Sequence, residues 1–277
     1  MLPFETKEVL LKVESLSKSY DVPILKDINI EIHNLTRPDI TQGQIVSLIG
    51  KSGSGKSTLF RIMAGLEKPN TGSVKLLDSC DGIDNYWPVE EGQMGVVFQN
   101  SYVYPWRKVR KILDMAVSKN PELNKYNSRA DRNCVSDGMV EQLATLLNLE
   151  DHLNKYSCQL SGGQRQRVAI AEQVLSGGDF ILMDEPFSGL DTLTIDKVTE
   201  TLTKIALTNE RKTIIIVSHD LSNCLAISDT AFILSPQEGG STITHKIDLA
   251  TQGLAWQPGI KENPMFRDLL NQVKSLL

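Results

Sequence analysis

The sequence has little of several things, and each shortage excludes something. Only four cysteines occur among 277 residues, at positions 80, 134, 158 and 224. No two are spaced Cys-x-x-Cys and none has a histidine at ligand spacing, which argues against a disulfide framework or a zinc site and predicts reduced thiols. No apolar run approaches the roughly 20 residues needed to cross a bilayer. The opening Met-Leu-Pro-Phe-Glu-Thr-Lys-Glu carries no secretory apolar segment. The expectation is a cytoplasmic chain whose membrane association is borrowed from a partner. The net charge of −5 gives no bulk attraction for nucleic acid, so none is expected as a partner. No internal repeat is visible. What remains, 40% hydrophobic and 23% charged residues, is ordinary globular composition in a chain long enough to bury a full core.

Residues 50–58 read Gly50, Lys51, Ser52, Gly53, Ser54, Gly55, Lys56, Ser57, Thr58. This run follows the apolar stretch Ile45 to Ile49 and precedes Leu59 to Met63, which reads as helix. Glycines let the backbone curl so that successive N–H groups point at phosphate oxygens, and the helix adds its positive N-terminal dipole. The pattern is a P-loop, and the chain is expected to bind a nucleoside triphosphate through all nine residues. Lys56 should reach the β- and γ-phosphates and the Ser57 hydroxyl should ligate Mg²⁺.

Two further segments narrow the choice among P-loop proteins. Leu160, Ser161, Gly162, Gly163 and Gln164 stand where an apolar-periodic helix begins, with a capping hydroxyl and free N–H groups that form a second phosphate-binding surface. Downstream, Phe180 to Met183 is a short apolar run leading into Asp184 and Glu185. It reads as a buried parallel strand with acids at its C-terminal end, where open α/β sheets place their ligands.

Together these segments resemble the ATP-binding cassette (ABC) family, the nucleotide-binding subunits of ABC transporters, over residues 12–235. LSGGQ is that family's signature motif, and the order of P-loop, signature, Asp-Glu strand and histidine is shared by the family. The resemblance implies an α/β fold: a P-loop NTPase core of the RecA-like type with an antiparallel β subdomain and an inserted α-helical subdomain. It places a cassette at 1–240, the helical subdomain at about 100–160 within it, and a tail at 241–277. It also implies ATP and Mg²⁺ as ligands.

Other residues acquire roles through the same resemblance. Residues 9–32 alternate as two antiparallel strands, Val9–Val13 and Ile28–Ile32, around a loop holding Tyr20. In the family an aromatic here stacks on adenine; otherwise Tyr20 is a surface tyrosine. The stretch from His33 to Gln42 is longer than the family's usual turn, and Arg37-Pro38-Asp39 reads as an exposed excursion. Gly95 to Gln99 reads as a short buried strand, and Gln99 would touch Mg²⁺ or orient the attacking water. Asp184 would hold the metal, with Ser57. Glu185 would take the water's proton as general base, acting as a unit with His219 at the end of the β-branched strand Thr213 to Ser218. Asp191 closes the D-loop, Ser188-Gly189-Leu190-Asp191, which communicates across a dimer. The histidines at 33, 152 and 245 fall on no family motif and read as ordinary core or surface residues.

Between P-loop and signature, residues 59–159 are too few for the long coiled-coil arm of chromosome-maintenance cassettes. Tyr102, Tyr104, Pro105 and Trp106 form an aromatic stretch that either packs internally or faces a membrane partner. Pro105-Trp106-Arg107 is similar to cassettes of nitrate, sulfonate and taurine importers. Helical patterning over 107–157 includes Met139 to Leu149, with Met139, Leu143, Leu146 and Leu147 on one face. Glu172-Gln173 stands where many cassettes have Arg-Ala, and Ser176 to Asp179 replaces a proline-containing turn. After the turn at 237–241, apolar residues from Met265 to Leu277 recur at helical spacing and predict an amphipathic helix that packs on the cassette or meets a partner.

The resemblance implies that Ser161 to Gln164 complete the site of a second cassette, identical or paralogous, with two ATP molecules sandwiched head to tail. The expected function is ATP hydrolysis energising solute import. The partners would be an integral membrane permease and, indirectly, a solute-binding protein, with the chain held at the inner face of the membrane. The alternative is a soluble ABC ATPase in cofactor-cluster assembly.

Overall fold

The structure, a computed structural model, describes residues 4–37, 41–80, 83–100, 102–257 and 259–277. Pro38 and Asp39 of the expected excursion lie outside the described residues. In chain order the elements are β1 (Glu5–Ser19), β2 (Pro23–Thr36), β3 (Gln44–Gly50), α1 (Lys56–Met63), β4 (Thr71–Cys80), β5 (Ile83–Pro88), β6 (Gly95–Val97), α2 (Val109–Val117), α3 (Arg129–Leu146), α4 (Gly162–Leu175), β7 (Phe180–Asp184), α5 (Thr192–Ala206), β8 (Thr213–Ser218), α6 (Leu221–Ile227), β9 (Thr230–Gln237), β10 (Gly240–Asp248) and α7 (Pro264–Leu276).

The strands form one sheet in the order β5-β4-β1-β2-β10-β9-β3-β8-β7-β6. From β9 to β6 it is parallel. From β5 to β2 it is antiparallel, and β10 joins the halves, antiparallel to β9 and meeting β2 at the single pair Ser241 and Leu25. Parallel strands covered on both faces need apolar side chains at every position. In β8, Ile214 and Ile216 pack under α2 to α7, whereas Ile215 and Val217 pack on the α1 side. The side-chain alternation of a strand thus feeds two separate cores.

The strands expected around Tyr20 lie inside β1 and β2, which pair with Leu11 opposite Ile32 and Val13 opposite Ile30. The excursion from His33 is corrected at its start. β2 continues through Thr36, and Arg37 is buried because its guanidinium pairs with the fully buried carboxylate of Asp229.

In the helical part, α2 packs on α3 and α4. The helix expected from Met139 to Leu149 starts earlier, at the Ser128 cap, and ends earlier. Asn148 takes a left-handed φ of 52°, and the Leu149 N–H returns to the Ala144 carbonyl at 2.8 Å, a Schellman termination. The turn at 237–241 is the tip of the β9–β10 hairpin, so residues 240–248 belong to the same sheet. Asn263 caps α7 ahead of Pro264. Phe266, Leu269 and Val273 bury its apolar face, which packs on α6.

Candidate active site

The P-loop turns out of β3 at Gly50. A side chain there would place its Cβ 2.6 Å from the Leu234 carbonyl oxygen, so only glycine lets β3 and β9 close at this point. Gly55 caps α1 with φ 84°, and a Cβ there would also meet Ile24 at 2.8 Å. Lys56 is buried and donates to the carbonyls of Gly50 and Lys51, both at 2.9 Å. Its ammonium therefore keeps a third hydrogen for another acceptor. Burial pushes the Lys56 pKa down, and the charges of Glu185 and Asp184 oppose that. Ser54 is buried with its hydroxyl unpartnered, while Lys51, Ser52, Gly53 and Ser57 are exposed and Thr58 is buried in the first turn of α1.

Asp184 ends β7 beside this loop. Burial pushes its carboxyl pKa up, with the Glu185 charge adding to it, against Lys56, Arg61 and a hydrogen bond from Ser57. Its Oδ1 is buried and has no hydrogen-bond partner. A buried carboxylate oxygen left without a donor, next to a serine hydroxyl and a lysine, suits a hard divalent cation. Gln99, expected at the metal, lies just beyond β6, and its Nε2 donates to the Ser188 hydroxyl at 3.1 Å.

Glu185 holds a left-handed backbone, φ 50°, unusual for a residue with a side chain. Its N–H donates to the Val217 carbonyl at 2.8 Å, anchoring it to β8. The carboxylate accepts from the Ser218 hydroxyl at 2.6 Å and from the His219 N–H at 3.1 Å, and His219 Nδ1 stands 2.8 Å from Oε1. An ionised carboxylate accepts only, so Nδ1 carries the proton and Nε2 is left for a further partner. The His219 side chain is 60% exposed and that of Glu185 only 13%, so the pair has one sheltered and one accessible member.

The signature residues cap α4. Ser161 Oγ accepts from the Gln164 N–H at 3.3 Å, and Gln164 Oε1 accepts from the Ser161 N–H at 2.8 Å, a capping box. Ser161 and Gly162 are exposed, while Gly163 faces Thr194 of α5, 3.0 Å from where its Cβ would lie. Among the described residues, no hydrogen bond or ion pair links residues 161–164 with residues 50–58. Asp191 uses both carboxylate oxygens on Thr194 to cap α5, at 3.0 and 2.8 Å, and these bonds lower its pKa. Tyr20 is about half exposed and its hydroxyl donates to the Glu67 carboxylate. That bond, with Lys18 and Arg61, holds the Glu67 pKa at about 2.

Four residues in this network carry no motif label. Ser218 holds Glu185 and could have been suspected from its place before His219. Gln166 is buried and ties α4 to the Pro186 carbonyl at 2.6 Å; nothing in the sequence marks it. His152, read as an ordinary core or surface histidine, is half-buried with its Nε2 2.9 Å from Nε2 of Gln164. Gln173 accepts from the Val96 N–H at 3.3 Å, so the departure from Arg-Ala ties α4 to the strand that leads to Gln99.

The sequence profile of the family described as ABC transporter matches residues 34–188. A taurine import ATP-binding protein from Jannaschia sp. (strain CCS1) is 29% identical, over 96% of this chain and 93% of its own length. An aliphatic sulfonates import ATP-binding protein from Pseudomonas syringae pv. tomato is 34% identical, over 83% and 82%. Among solved structures, a dimeric ATP-binding cassette in a post-hydrolysis state bound to ADP and Pi has a TM-score of 0.62 and 27% identity, over 87% of this chain and 99% of its own. With the P-loop, the capped signature helix and the Glu185–His219 pair assembled as described, the chain belongs to the ABC transporter family and is an ATP-binding, ATP-hydrolysing cassette of that family.

Proposed function

We propose that this cassette energises solute import through an integral membrane permease, working as a head-to-tail pair of cassettes at the inner face of the membrane. The observation that carries the reading is the coupled Glu185–His219 pair, sheltered carboxylate beside accessible imidazole, at the edge of a loop whose Lys56 has a hydrogen to spare.

In this reading the P-loop N–H groups and Lys56 hold the β- and γ-phosphates. Asp184 and Ser57 would hold Mg²⁺, which when bound supplies charge neutralisation on the phosphates. Glu185 takes the proton of the attacking water, and His219 orients it through Nε2 while Nδ1 stays on the carboxylate. Gln99 would move from Ser188 to reach the water or metal. Tyr20 would stack on adenine. Ser161 and Gly162, which are exposed, together with the half-buried Gly163 and Gln164, none of them bonded to their own P-loop, would complete the partner cassette's site.

The permease contact is supported by the aromatic stretch. Tyr102, Tyr104 and Trp106 are 79%, 42% and 69% exposed, with Tyr104 and Trp106 packed edge to face. The segment is pinned from behind by the Ser157 hydroxyl on the Tyr104 carbonyl at 2.7 Å. A rigid apolar surface suits docking of a membrane-protein helix. The relatives named for import of taurine and aliphatic sulfonates support an importer of that type; a solute-binding protein would act on the permease from the other side.

The test is to express tagged Glu185→Gln chain in its native host with ATP, extract membranes gently and identify what co-purifies. A multi-span permease is the expected companion; a purely soluble set of partners overturns the transport reading and leaves the ATPase intact.

A further inference from the structure

His152 sits in the 3-10 turn Glu150–His152 between α3 and α4. Leu149 and Leu153, both buried, anchor this turn on either side. Its backbone is held by His152 N–H on the Leu149 carbonyl at 2.9 Å and Lys155 N–H on the His152 carbonyl at 3.0 Å. The imidazole therefore stands on a fixed base, half-buried, with Nε2 2.9 Å from the Gln164 side chain.

The donor and acceptor roles across this contact follow from the capping box. The Ser161 N–H can only donate, so the Gln164 atom facing it at 2.8 Å is the carbonyl oxygen. The other end of the carboxamide is then the NH₂, and it points at His152 Nε2. That nitrogen must offer its lone pair, and the ring proton must sit on Nδ1. On the Nδ1 side, however, Lys155 Nζ approaches to 3.0 Å, and an ammonium is also only a donor. A neutral imidazole has one acceptor nitrogen, so Gln164 and Lys155 compete over which ring nitrogen it is, Nε2 facing Gln164 or Nδ1 facing Lys155.

We propose that His152 is a positioning residue for the signature motif: it holds the Gln164 carboxamide in the orientation that closes the capping box, and Lys155 competes with Gln164 for it. If the lone pair turns to Lys155, the proton moves to Nε2 and faces the Gln164 NH₂. The carboxamide must then rotate, Oε1 leaves the Ser161 N–H, and the first turn of α4 loses one of its two reciprocal bonds. The residues loosened are those that would meet the nucleotide of a second cassette, so the functional consequence rests on the head-to-tail reading above.

Two measurements separate the inference from that reading. In the full chain as a monomer, hydrogen exchange of the 161–164 segment should be faster in His152→Ala, and restored in His152→Gln, whose side-chain oxygen can accept from the Gln164 NH₂. Unchanged exchange in His152→Ala overturns the inference whether or not the chain dimerises. In a Glu185→Gln background, ATP-driven dimerisation followed by sedimentation should weaken roughly threefold to tenfold with His152→Ala, the scale of one hydrogen bond. It should recover to within about twofold with His152→Gln, with nucleotide affinity of the monomer unchanged in both. A parent that fails to dimerise sinks the head-to-tail reading alone, and the exchange experiment still decides the inference. A parent that dimerises as tightly with His152→Ala as without it overturns the functional role. Lys155→Met should leave the dimer at least as tight as the parent; a weaker dimer overturns the competition.

Discussion

The Oε1 atom of Glu185 accepts twice from His219, from its ring at 2.8 Å and from its backbone N–H at 3.1 Å. The pairing is built into the sheet. β7 and β8 run parallel with Asp184 beside Val217, so the next residue of each strand, Glu185 and Ser218, meet at the shared C-terminal edge. Glu185→Gln keeps the shape and an acceptor oxygen but removes the base. Phosphate release under saturating ATP should fall about 100-fold or more, while ATP affinity measured by calorimetry should stay within about threefold. Normal turnover in this variant would remove Glu185 from the mechanism.

Much of this site is legible in the sequence because its parts are local. The P-loop, the capping hydroxyl at Ser161 and the run into Asp184 and Glu185 each depend on residues a few positions apart, and continuous apolar runs such as Ile214 to Val217 announce strands buried on both faces. What was not legible depends on distant partners. Arg37 precedes a proline and an aspartate and reads as turn, yet its carboxylate partner lies 192 positions away. Residues 237–241 read as a turn, but nothing local says that this turn brings β10 back beside β9 in the same sheet. The role of His152 depends on how the Gln164 carboxamide is turned, which only the closed capping box determines.

The buried Arg37–Asp229 pair makes a stability prediction. Asp229 is 0% exposed and also accepts from the Ile45 N–H at 2.9 Å and the Trp256 indole at 3.0 Å, while its own carbonyl accepts from Leu249 and Ala250. It therefore joins the core to the segment that leads to α7. Burial pushes its pKa up and Arg37 opposes this. Arg37→Met leaves a buried carboxylate without its cation, and unfolding in urea should show a loss of about 3 kcal/mol. Arg37→Met with Asp229→Asn should recover part of that loss, since the remaining group is then neutral.

Glu67 predicts how stability depends on pH. Its pKa falls from an ordinary 4.5 to about 2, mainly through the Tyr20 hydroxyl and then Lys18 and Arg61. The folded value lies below the unfolded one, so between them the unfolded chain binds more protons and stability declines with falling pH. The contribution is fully present above about 4.5 and is lost as pH drops from there through about 2. Thermal unfolding of Glu67→Gln should therefore approach that of the parent as pH falls through this window and diverge from it at neutral pH. A constant gap between the two across the window would mean that the carboxylate gains nothing from its three partners.

Trp106 separates docking from hydrolysis. It is 69% exposed and its ring meets only the edge of Tyr104 among the aromatic contacts of the described residues. Replacing an exposed side chain far from any buried network changes stability by about 0.5 kcal/mol or less. Trp106→Ser should accordingly unfold with the parent. If the face formed with Tyr102 and Tyr104 receives a permease helix, the loss should appear only when the permease is present, as weakened co-purification and solute uptake reduced about tenfold, the scale of one buried aromatic anchor at an interface. Full uptake by Trp106→Ser, with the chain folded, would place the permease contact elsewhere on the helical part.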